Sequence, residues 1–525
     1  MSIGSLTKLT ELQLGVNNFS GAIPSSIGSL TRLTYLNLDY NSFSGTIPPE
    51  FGNLTSLLKL SLVSIGSCTI DNLDWLSRLS YLNSLKLDEN SLAKANNWSC
   101  KQSLRFPKWI PNLKKSLLYL DLSQESISDT ISIEYWNKWN PSQLHYLDLS
   151  FNRISGILPD LLSNLTLYSV DLSSNSFYGS IPAFPAGITF LNLSRNKFSS
   201  GISFLCQVYE RFEFLDLSRN RLTGQLPDCL CTLTELKVLN LGHNILSGRL
   251  PPSLGCLGQL ETLSLYNNTF FGELPVSLKN CAMLSFIDLG ANKFFGNVPV
   301  WIGENLSRLY VLSLRSNNFY GTTPLQICHL ETLQILDLSI NKLHGTIPSC
   351  VKNFTGMAQK GSFVKPNVHH YQWLPHYALT GDYVEPFDNS YIDRLAIEWQ
   401  GKVNEFGSTL GLVKTIDLSS NNSQDKSRKI PSTMSKMDRL NDLDVSYNNL
   451  SGRIPSSTQL QSFPSEWFAG NSELCGLPTM KKCLGDERSR KYPPLCDSEV
   501  MGIAQMNFEN GFYIEGPLVL QLHFG

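Results

Sequence analysis

Aspartate recurs at one position of the sequence, between the two apolar residues that end short segments such as YLDL and FLDL. Eight segments share it: Asp121, Asp148, Asp171, Asp216, Asp288, Asp337, Asp417 and Asp444. On neighbouring strands, about 4.8 Å apart, such carboxylates could form the acid/base pairs that catalyse hydrolysis. A catalytic pair occurs once in a protein, however, whereas this aspartate returns in many segments. We therefore interpret these residues as structural or surface groups, and we predict no catalytic residues and no enzyme activity.

Three histidines lie close together in the sequence, namely His369, His370 and His376. Histidine is a common zinc ligand, but a zinc site also needs further Cys, His or carboxylate ligands at characteristic spacings. No such partner has a matching spacing, and we find no nucleophile elbow, phosphate loop or HExxH motif. We predict neither a metal nor another cofactor, and we interpret the histidines as part of an interaction loop or a solvated turn.

The aspartates belong to a repeat that runs along most of the chain. LTELQLGVNNFSGAIP at residues 9–24 returns as LTYLNLDYNSFSGTIP at residues 33–48, a period of 24. The pattern LxxLxLxxN at this period is that of a leucine-rich repeat, in which each unit supplies one strand and a return segment. We count about sixteen units. They predict an α/β leucine-rich repeat solenoid, a curved horseshoe with a parallel β-sheet on its concave face.

Positions within one unit have separate roles. In LETLSLYNNTFFGELP we expect Leu260, Leu263, Leu265 and Phe270 to point into the solenoid. We expect Asn268 to satisfy backbone groups at the bend after the strand, because an amide both donates and accepts hydrogen bonds. Stacked units should align these asparagines in a ladder.

Residues between the strand leucines should face outward on the concave side, which is the candidate binding surface. The net charge of −2 gives no electrostatic reason to expect nucleic acid or an acidic membrane surface as a partner. We expect a protein, peptide or glycan ligand. Aromatic residues and arginine are enriched at interface hot spots. The ligand-binding candidates of these types are Tyr35, Tyr40, Tyr266, Phe286, Tyr310 and Arg315.

Cysteines and glycosylation motifs indicate an oxidising, secretory compartment. Two cysteine pairs are separated by about one repeat, and a third pair encloses a short loop near the end of the repeats. These disulfide candidates are Cys206 with Cys229, Cys328 with Cys350, and Cys475 with Cys483. The two internal pairs could instead be buried free thiols. The candidate glycosylation sites are Asn18, Asn53, Asn97, Asn164, Asn192, Asn267, Asn305, Asn353, Asn421 and Asn449.

One long segment interrupts the repeats. Residues 350–411 contain no LxxLxL segment and are rich in Tyr, Trp and His, and long insertions of this kind most often serve binding. The predicted organisation is therefore a series of five parts. They are repeats at 1–349, irregular at 63–143; an island at 350–411; the last repeats at 412–463; a cysteine cap at 464–485; and a degenerate juxtamembrane tail at 486–525.

Three longer segments, with the recurring NxFSGxIP form, give the chain a family resemblance. They are FLCQVYERFEFLDLSRNRLTGQLPDCL, YIDRLAIEWQGKVNEFGSTLGLVKTIDLSSN and GRIPSSTQLQSFPSEWFAGNSELCGLPTMKKC. In these features the sequence resembles the plant leucine-rich repeat receptor-like proteins, in particular the defence receptors for fungal avirulence proteins and ethylene-inducing xylanase.

The resemblance implies a cell-surface ectodomain, on the extracellular face of the plasma membrane, that binds a microbial or endogenous ligand. It implies signalling in plant immunity through an adaptor receptor-like kinase and a co-receptor kinase of the somatic embryogenesis class. The island and co-receptor candidates that it implies are Tyr391, Trp399, Gln400 and Phe406. Gln400 and Phe406 align with a Lys and a Tyr that the family commonly shows.

Two alternatives use the same scaffold: a soluble interaction protein, such as a cell-wall enzyme inhibitor or a decoy, and a developmental receptor partner. The length of the chain and its island favour the receptor. The resemblance also implies a signal peptide and a membrane span, and the sequence shows neither. We therefore expect it to be incomplete at both ends.

Overall fold

A computed structural model gives the fold. It describes residues 3–69, 73–88, 106, 110, 117–138, 143–160, 166–207, 211–358, 368–373, 387–399, 402–421 and 428–484. Two units are distinguished, Met1–Lys481 and Lys482–Gly525, and every helix and strand given below belongs to the first.

Sixteen parallel strands of three residues each form one continuous sheet, the concave sheet. Their order in the sheet is their order in the chain, and the strand after the island pairs directly with the strand before it. This confirms the predicted solenoid, because each unit adds one strand. The strands are Glu11–Gln13, Tyr35–Asn37, Lys59–Ser61, Ser84–Lys86, Tyr119–Asp121, Tyr146–Asp148, Ser169–Asp171, Phe190–Asn192, Phe214–Asp216, Val238–Asn240, Thr262–Ser264, Phe286–Asp288, Val311–Ser313, Ile335–Asp337, Thr415–Asp417 and Asp442–Asp444.

Many units contribute a second strand, formed by the residues around the glycine of NxFSGxIP. Ten of these strands make a lateral sheet: Thr130–Ile131, Ser155–Gly156, Ser176–Gly179, Lys197–Ser200, Arg221–Gly224, Ile245–Gly248, Thr269–Gly272, Lys293–Asn297, Asn318–Thr322 and Lys342–His344. Shorter sheets join Ser20–Ala22, Ser42–Thr46 and Gly66–Thr69, and separately Ser451–Arg453 and Glu473–Cys475. Gly272 has φ +99°, a conformation that strains any residue with a Cβ.

Short helical turns complete the return segments. The α-helices are Ile133–Lys138, Trp301–Asn305, Thr355–Ala358 and Thr458–Ser462. The 3-10 helices are Ile3–Ser5, Ser25–Ser29, Pro49–Asn53, Asp74–Arg78, Ser203–Gln207, Leu230–Thr232, Pro252–Cys256, Val276–Asn280, Leu325–His329, Ser349–Asn353, Leu410–Leu412, Ser432–Lys436 and Ser465–Phe468. A proline can stand directly before such a turn, as Pro275 does, because that position requires no backbone N–H donor.

The core runs along the whole solenoid between the concave sheet and the turns. Leu260, Leu263, Leu265 and Phe270 are all fully buried in it, as the repeat pattern predicted. Phe270 stacks on its equivalent in the next unit, Phe294, with 6.3 Å between ring centroids. Each unit therefore buries its apolar side chains against the neighbouring units.

The asparagine ladder also forms as predicted. Asn292 shows the arrangement: its Nδ2 donates to the carbonyls of Leu265, Leu289 and Gly290 at 2.9, 3.1 and 3.0 Å. Its Oδ1 accepts from the backbone N–H of Phe270 at 3.0 Å. One buried amide thus satisfies four backbone groups in two adjacent units.

Three disulfides join successive return segments: Cys206–Cys229, Cys231–Cys256 and Cys328–Cys350, with Cα–Cα distances of 5.5, 4.9 and 5.7 Å. The second was not predicted. Cys475 and Cys483 are both disulfide-bonded, whereas Cys68 and Cys281 are buried free thiols.

The candidate glycosylation sites differ in their environments. Exposed side chains are those of Asn18, Asn53, Asn267, Asn305 and Asn353; Asn192 and Asn449 are half-buried, and Asn97 and Asn164 lie outside the described residues. Asn421 needs a correction. It is a buried ladder residue whose Nδ2, the atom that would carry a glycan, donates to the carbonyls of Leu338, Leu418 and Ser419.

Candidate functional site

The recurring aspartates end the strands of the concave sheet and bind the chain immediately after them. In all eight, Oδ1 accepts a hydrogen bond from the backbone N–H two residues later, as from Ser218 to Asp216 at 2.8 Å. This contact gives the aspartates a structural role in every unit that has one.

The island contributes two antiparallel hairpins. Val368–Trp373 pairs with Phe387–Ile392, and Leu395–Trp399 pairs with Lys402–Phe406. Residues 391–399 and 402–406, which we call the docking segment, pack onto the concave sheet. The island is therefore placed on the surface that the sequence indicated for binding.

Two apolar clusters hold the docking segment. Leu395 and Ile397 are buried against sheet residues that include Phe286 and Tyr310. Further back along the sheet, Tyr391 packs on Phe190, Phe214 and Val238. The ring of Tyr391 meets that of Phe214 edge-on, with 4.9 Å between centroids.

Asp393 lies between these clusters and is completely buried. Its Oδ1 accepts from the hydroxyl of Thr262 at 2.8 Å, and its Oδ2 accepts from the hydroxyl of Tyr310 at 3.1 Å. Thr262 lies in the concave sheet and Tyr310 lies directly before one of its strands, so this carboxylate fixes the island to the repeats. Buried hydrogen-bonding groups of this kind are costly to leave without a partner.

Ion pairs complete the attachment. Arg315 binds Glu398 of the docking segment, and its Nη1 lies 3.2 Å from Oδ2 of Asp417 and 3.8 Å from that of Asp337. On the other hairpin strand, Glu405 Oε2 lies 2.9 Å from Arg219 and 3.5 Å from Arg195. The side chain of Arg315 is only 15% exposed, so its ion pairs are less screened by water than those of Arg195 and Arg219.

Burial raises the pKa values of the concave carboxyl groups. Burial, followed by the nearby Asp417, raises the pKa of Asp337 to about 8, although Arg315 opposes the shift. Burial likewise raises the pKa of Asp216 and of Asp288 to about 6. A group with a raised pKa in the folded state keeps protons that the unfolded chain releases above about pH 4.

We therefore predict that the protein loses stability as the pH rises from about 4 towards 8, since the folded state binds more protons than the unfolded state throughout that range. Thermal unfolding should show a lower melting temperature at pH 8 than at pH 5. Asp337→Asn should reduce this difference, because the amide stays uncharged at both pH values. The exposed Asp228→Asn serves as the control, and an unchanged difference in Asp337→Asn would contradict the prediction.

The structure separates the six ligand-binding candidates. Tyr35 and Tyr40 lie on the second strand and just after it, six strands, or about 30 Å, from the nearest strand that contacts Tyr391. The others lie at the island: Tyr266 is half-buried, and Phe286, Tyr310 and Arg315 contact the docking segment directly. One expectation is corrected. Phe286 and Tyr310 do not face open solvent, because each is 1% exposed beneath the island.

The four island and co-receptor candidates lie in different environments. Tyr391 is docked on the sheet, and Phe406 packs against the cluster of Phe286 and Tyr310. The backbone of Trp399 ends a hairpin strand, and Gln400 lies outside the described residues. Their contact with a co-receptor stays a prediction.

The structure describes only part of the segment that contains the three histidines. His369 and His370 lie on the strand Val368–Trp373, and His376 lies outside the described residues. Within the described part of the chain, no group of three or more His, Cys, Asp or Glu residues is placed to hold a metal ion.

Several residues at this site were not found by sequence reasoning: Asp393, Glu398 and Glu405 of the island, and Thr262, Arg195 and Arg219 of the repeats. Their contacts join residues 83 to 210 positions apart. One signal was available, namely the large apolar residues Leu395, Ile397 and Trp399 at alternate positions of LAIEW, which indicate a strand with one buried face.

Comparison with known families agrees with the fold. The family described as "Leucine-rich repeat region" matches residues 1–175, and "Leucine Rich Repeat" matches 211–233, 235–257, 259–281, 332–354 and 439–460. Together these segments make up more than half of the chain. The chain belongs to the leucine-rich repeat family.

Among leucine-rich repeat proteins, the similar sequences are plant receptors, which confirms the resemblance to receptor-like proteins. Receptor-like protein EIX2 of Solanum lycopersicum is 38% identical over 110 residues, which are 21% of this chain and 10% of that protein. Receptor-like protein EIX1 of the same species is 40% identical over 128 residues, 22% and 12% of the two chains. The matched segments thus span about a tenth of these relatives.

Several similar solved structures are those of plant receptors. The structure of PEPR1 with AtPEP1 has a TM-score of 0.66 and 26% identity, and covers 90% of this chain and 64% of that one. The Arabidopsis receptor kinase HAESA, in complex with the peptide hormone IDA and the co-receptor SERK1, has a TM-score of 0.60 and 26% identity, and covers 90% and 75%. Within the described residues of this chain, no helix has the length and apolar character that a membrane span needs.

Proposed function

We propose that this chain is ectodomain sequence of a plant receptor-like protein that binds an extracellular ligand and signals in immunity through partner receptor kinases. The observation that carries the proposal is the island, which packs onto the concave sheet and is anchored there by the buried Asp393. A segment held in this way forms one continuous surface with the adjoining repeats, on which a ligand and a second protein could meet.

The relatives support the proposal in two ways. The similar sequences are named receptor-like proteins, and HAESA was solved with a peptide hormone and a co-receptor. We infer for this chain a protein, peptide or glycan ligand, an adaptor receptor-like kinase and a co-receptor of the somatic embryogenesis class. Its site of action would be the extracellular face of the plasma membrane.

We propose a co-receptor surface at the docking segment and in the last repeats. Three exposed apolar side chains lie there: Val403 on a hairpin strand, Leu412 after the island, and Tyr447 in the last unit, which are 63%, 58% and 62% exposed. Each of these side chains exposes apolar surface that another protein could cover. Tyr391 and Phe406 would act here indirectly, by holding the hairpins.

Binding of a co-receptor ectodomain of the somatic embryogenesis class to the secreted chain tests this proposal, with and without purified ethylene-inducing xylanase as the probe. We expect the xylanase to promote the complex. Val403→Asp should weaken it at least about tenfold, because a charge replaces a desolvated contact, whereas Val300→Asp at an exposed site on a return segment should not. Xylanase binding and enzyme inhibition without any co-receptor complex would overturn the proposal in favour of a soluble inhibitor.

A further inference from the structure

A polar cavity lies between the docking segment and the concave sheet. Its volume is about 260 Å³, and it is partly open to solvent. Six consecutive strands form the floor, and Tyr391, Arg394 and Glu405 of the island form part of the wall. The cavity is therefore built from two parts of the chain and has the dimensions for one small polar group.

The floor is a row of hydrogen-bonding side chains in exact register. Asp171, Asn192, Asp216, Asn240, Ser264 and Asp288 pair with one another across neighbouring strands. Carboxyl, amide and hydroxyl groups thus alternate at the strand spacing of about 4.8 Å. Within the row, Asn192 donates to Asp171 at 2.9 Å and Asn240 donates to Asp216 at 3.2 Å. A carboxylate oxygen or a hydroxyl has more than one hydrogen-bonding position, so the row can bind hydroxyl groups of a ligand in addition to these contacts.

Three arginines line the cavity. Arg195 and Arg219 already hold a carboxylate there, that of Glu405. Arg394 lines the same cavity, is exposed, and forms no ion pair with any residue that the structure describes. His243 also lies in the wall. Arginine binds carboxylates through paired, charge-assisted hydrogen bonds, so these arginines suit a carboxylate of a ligand.

Two aromatic rings border the cavity, those of Tyr266 and Tyr391. A tyrosine offers a flat apolar face together with a hydroxyl, and this combination suits a ring that is apolar on its faces and polar around its edge. The hydroxyl of Tyr391 accepts from Nδ2 of Asn240 at 3.1 Å, which ties this wall to the floor.

We infer that the cavity is a binding subsite for a uronate, a sugar unit that carries a carboxylate. Its carboxylate would lie at Arg394 and the pair Arg195 and Arg219, and its hydroxyls would face the row of aspartates and asparagines. A neutral sugar would leave Arg394 without a carboxylate, and a simple carboxylate would leave the floor unused. This assignment deepens the proposed function and rests on it, since the uronate would be part of the extracellular ligand.

The test uses the full chain, secreted from plant cells, and three probes: galacturonate, galactose and acetate. Galactose carries a neutral hydroxymethyl group in place of the carboxylate of galacturonate, and acetate lacks the sugar. At pH 5.5, titration calorimetry and saturation-transfer NMR should show one galacturonate site. Galactose and acetate should each bind at least about tenfold more weakly, because each loses one set of hydrogen bonds.

Arg394→Gln should weaken galacturonate binding at least about tenfold and leave galactose unaffected, because it removes a charge that faces only the carboxylate. The matched control is Arg221→Gln, an exposed arginine on the lateral sheet outside the cavity. Equal binding of galacturonate with galactose or acetate, or no effect of Arg394→Gln, would overturn the inference. The xylanase and co-receptor measurement is separate: a complex that forms there without any uronate binding would sink this subsite alone.

Discussion

Asn292→Ala is expected to lower the free energy of unfolding of the surrounding repeats by about 3 kcal/mol or more. The substitution removes one side chain but leaves four buried backbone groups, in two units, without the partner that satisfies them now. Each such group costs about 1–3 kcal/mol when it stays unsatisfied. Water that enters the space left by the side chain can satisfy some of these groups. The loss of stability should therefore be smaller than the sum of the four separate costs.

Hydrogen exchange of the amides in residues 260–320 measures this effect, together with denaturant unfolding of the whole chain. Lys293→Ala, at the next position and exposed, is the control and should stay within about 0.5 kcal/mol of the parent. Units in a solenoid contact only their neighbours, so the loss should be greatest next to Asn292 and fade along the array. Equal effects of the two variants would show that the ladder contributes little.

The repeats could be predicted because each of their interactions recurs at the same short distance in sequence. The leucine pattern, the ladder asparagine and the disulfide Cys206–Cys229 all reflect contact with a unit about 24 residues away. The disulfide Cys231–Cys256 follows the same rule and was still missed. Cys229 and Cys231 are separated by one residue, so spacing alone does not say which of them pairs forward and which backward.

The docked island could not be predicted, because nothing repeats in it. Arg219 and Glu405 are 186 residues apart, and each is an ordinary charged residue in its own segment. Composition did locate the region: Phe286, Tyr310 and Arg315 were chosen as residues suited to interfaces. In the structure they form such an interface, with the chain's own island. Residue type thus indicated an interaction surface, but not the segment that covers it.

That intramolecular interface leads to the second large effect, on Asp393. Asp393→Ala should raise hydrogen exchange in residues 391–399 and 402–406 by about a hundredfold, which corresponds to about 3 kcal/mol. The reason is that the hydroxyls of Thr262 and Tyr310 lose their buried acceptor, while the apolar contacts of Leu395 and Ile397 remain. The concave sheet should keep its protection, because its strands pair with one another and not with the island.

Two further variants make this prediction specific. Val403→Ala, on an exposed side chain of the same hairpin, should leave exchange unchanged. Tyr310→Phe removes one of the two donors and should have part of the effect; combined with Asp393→Ala it should add less than its own single effect, since the two groups share one hydrogen bond. Fully additive effects would mean that Asp393 holds the island through other groups. Unchanged exchange in Asp393→Ala would mean that the apolar clusters alone fix the island on the concave sheet.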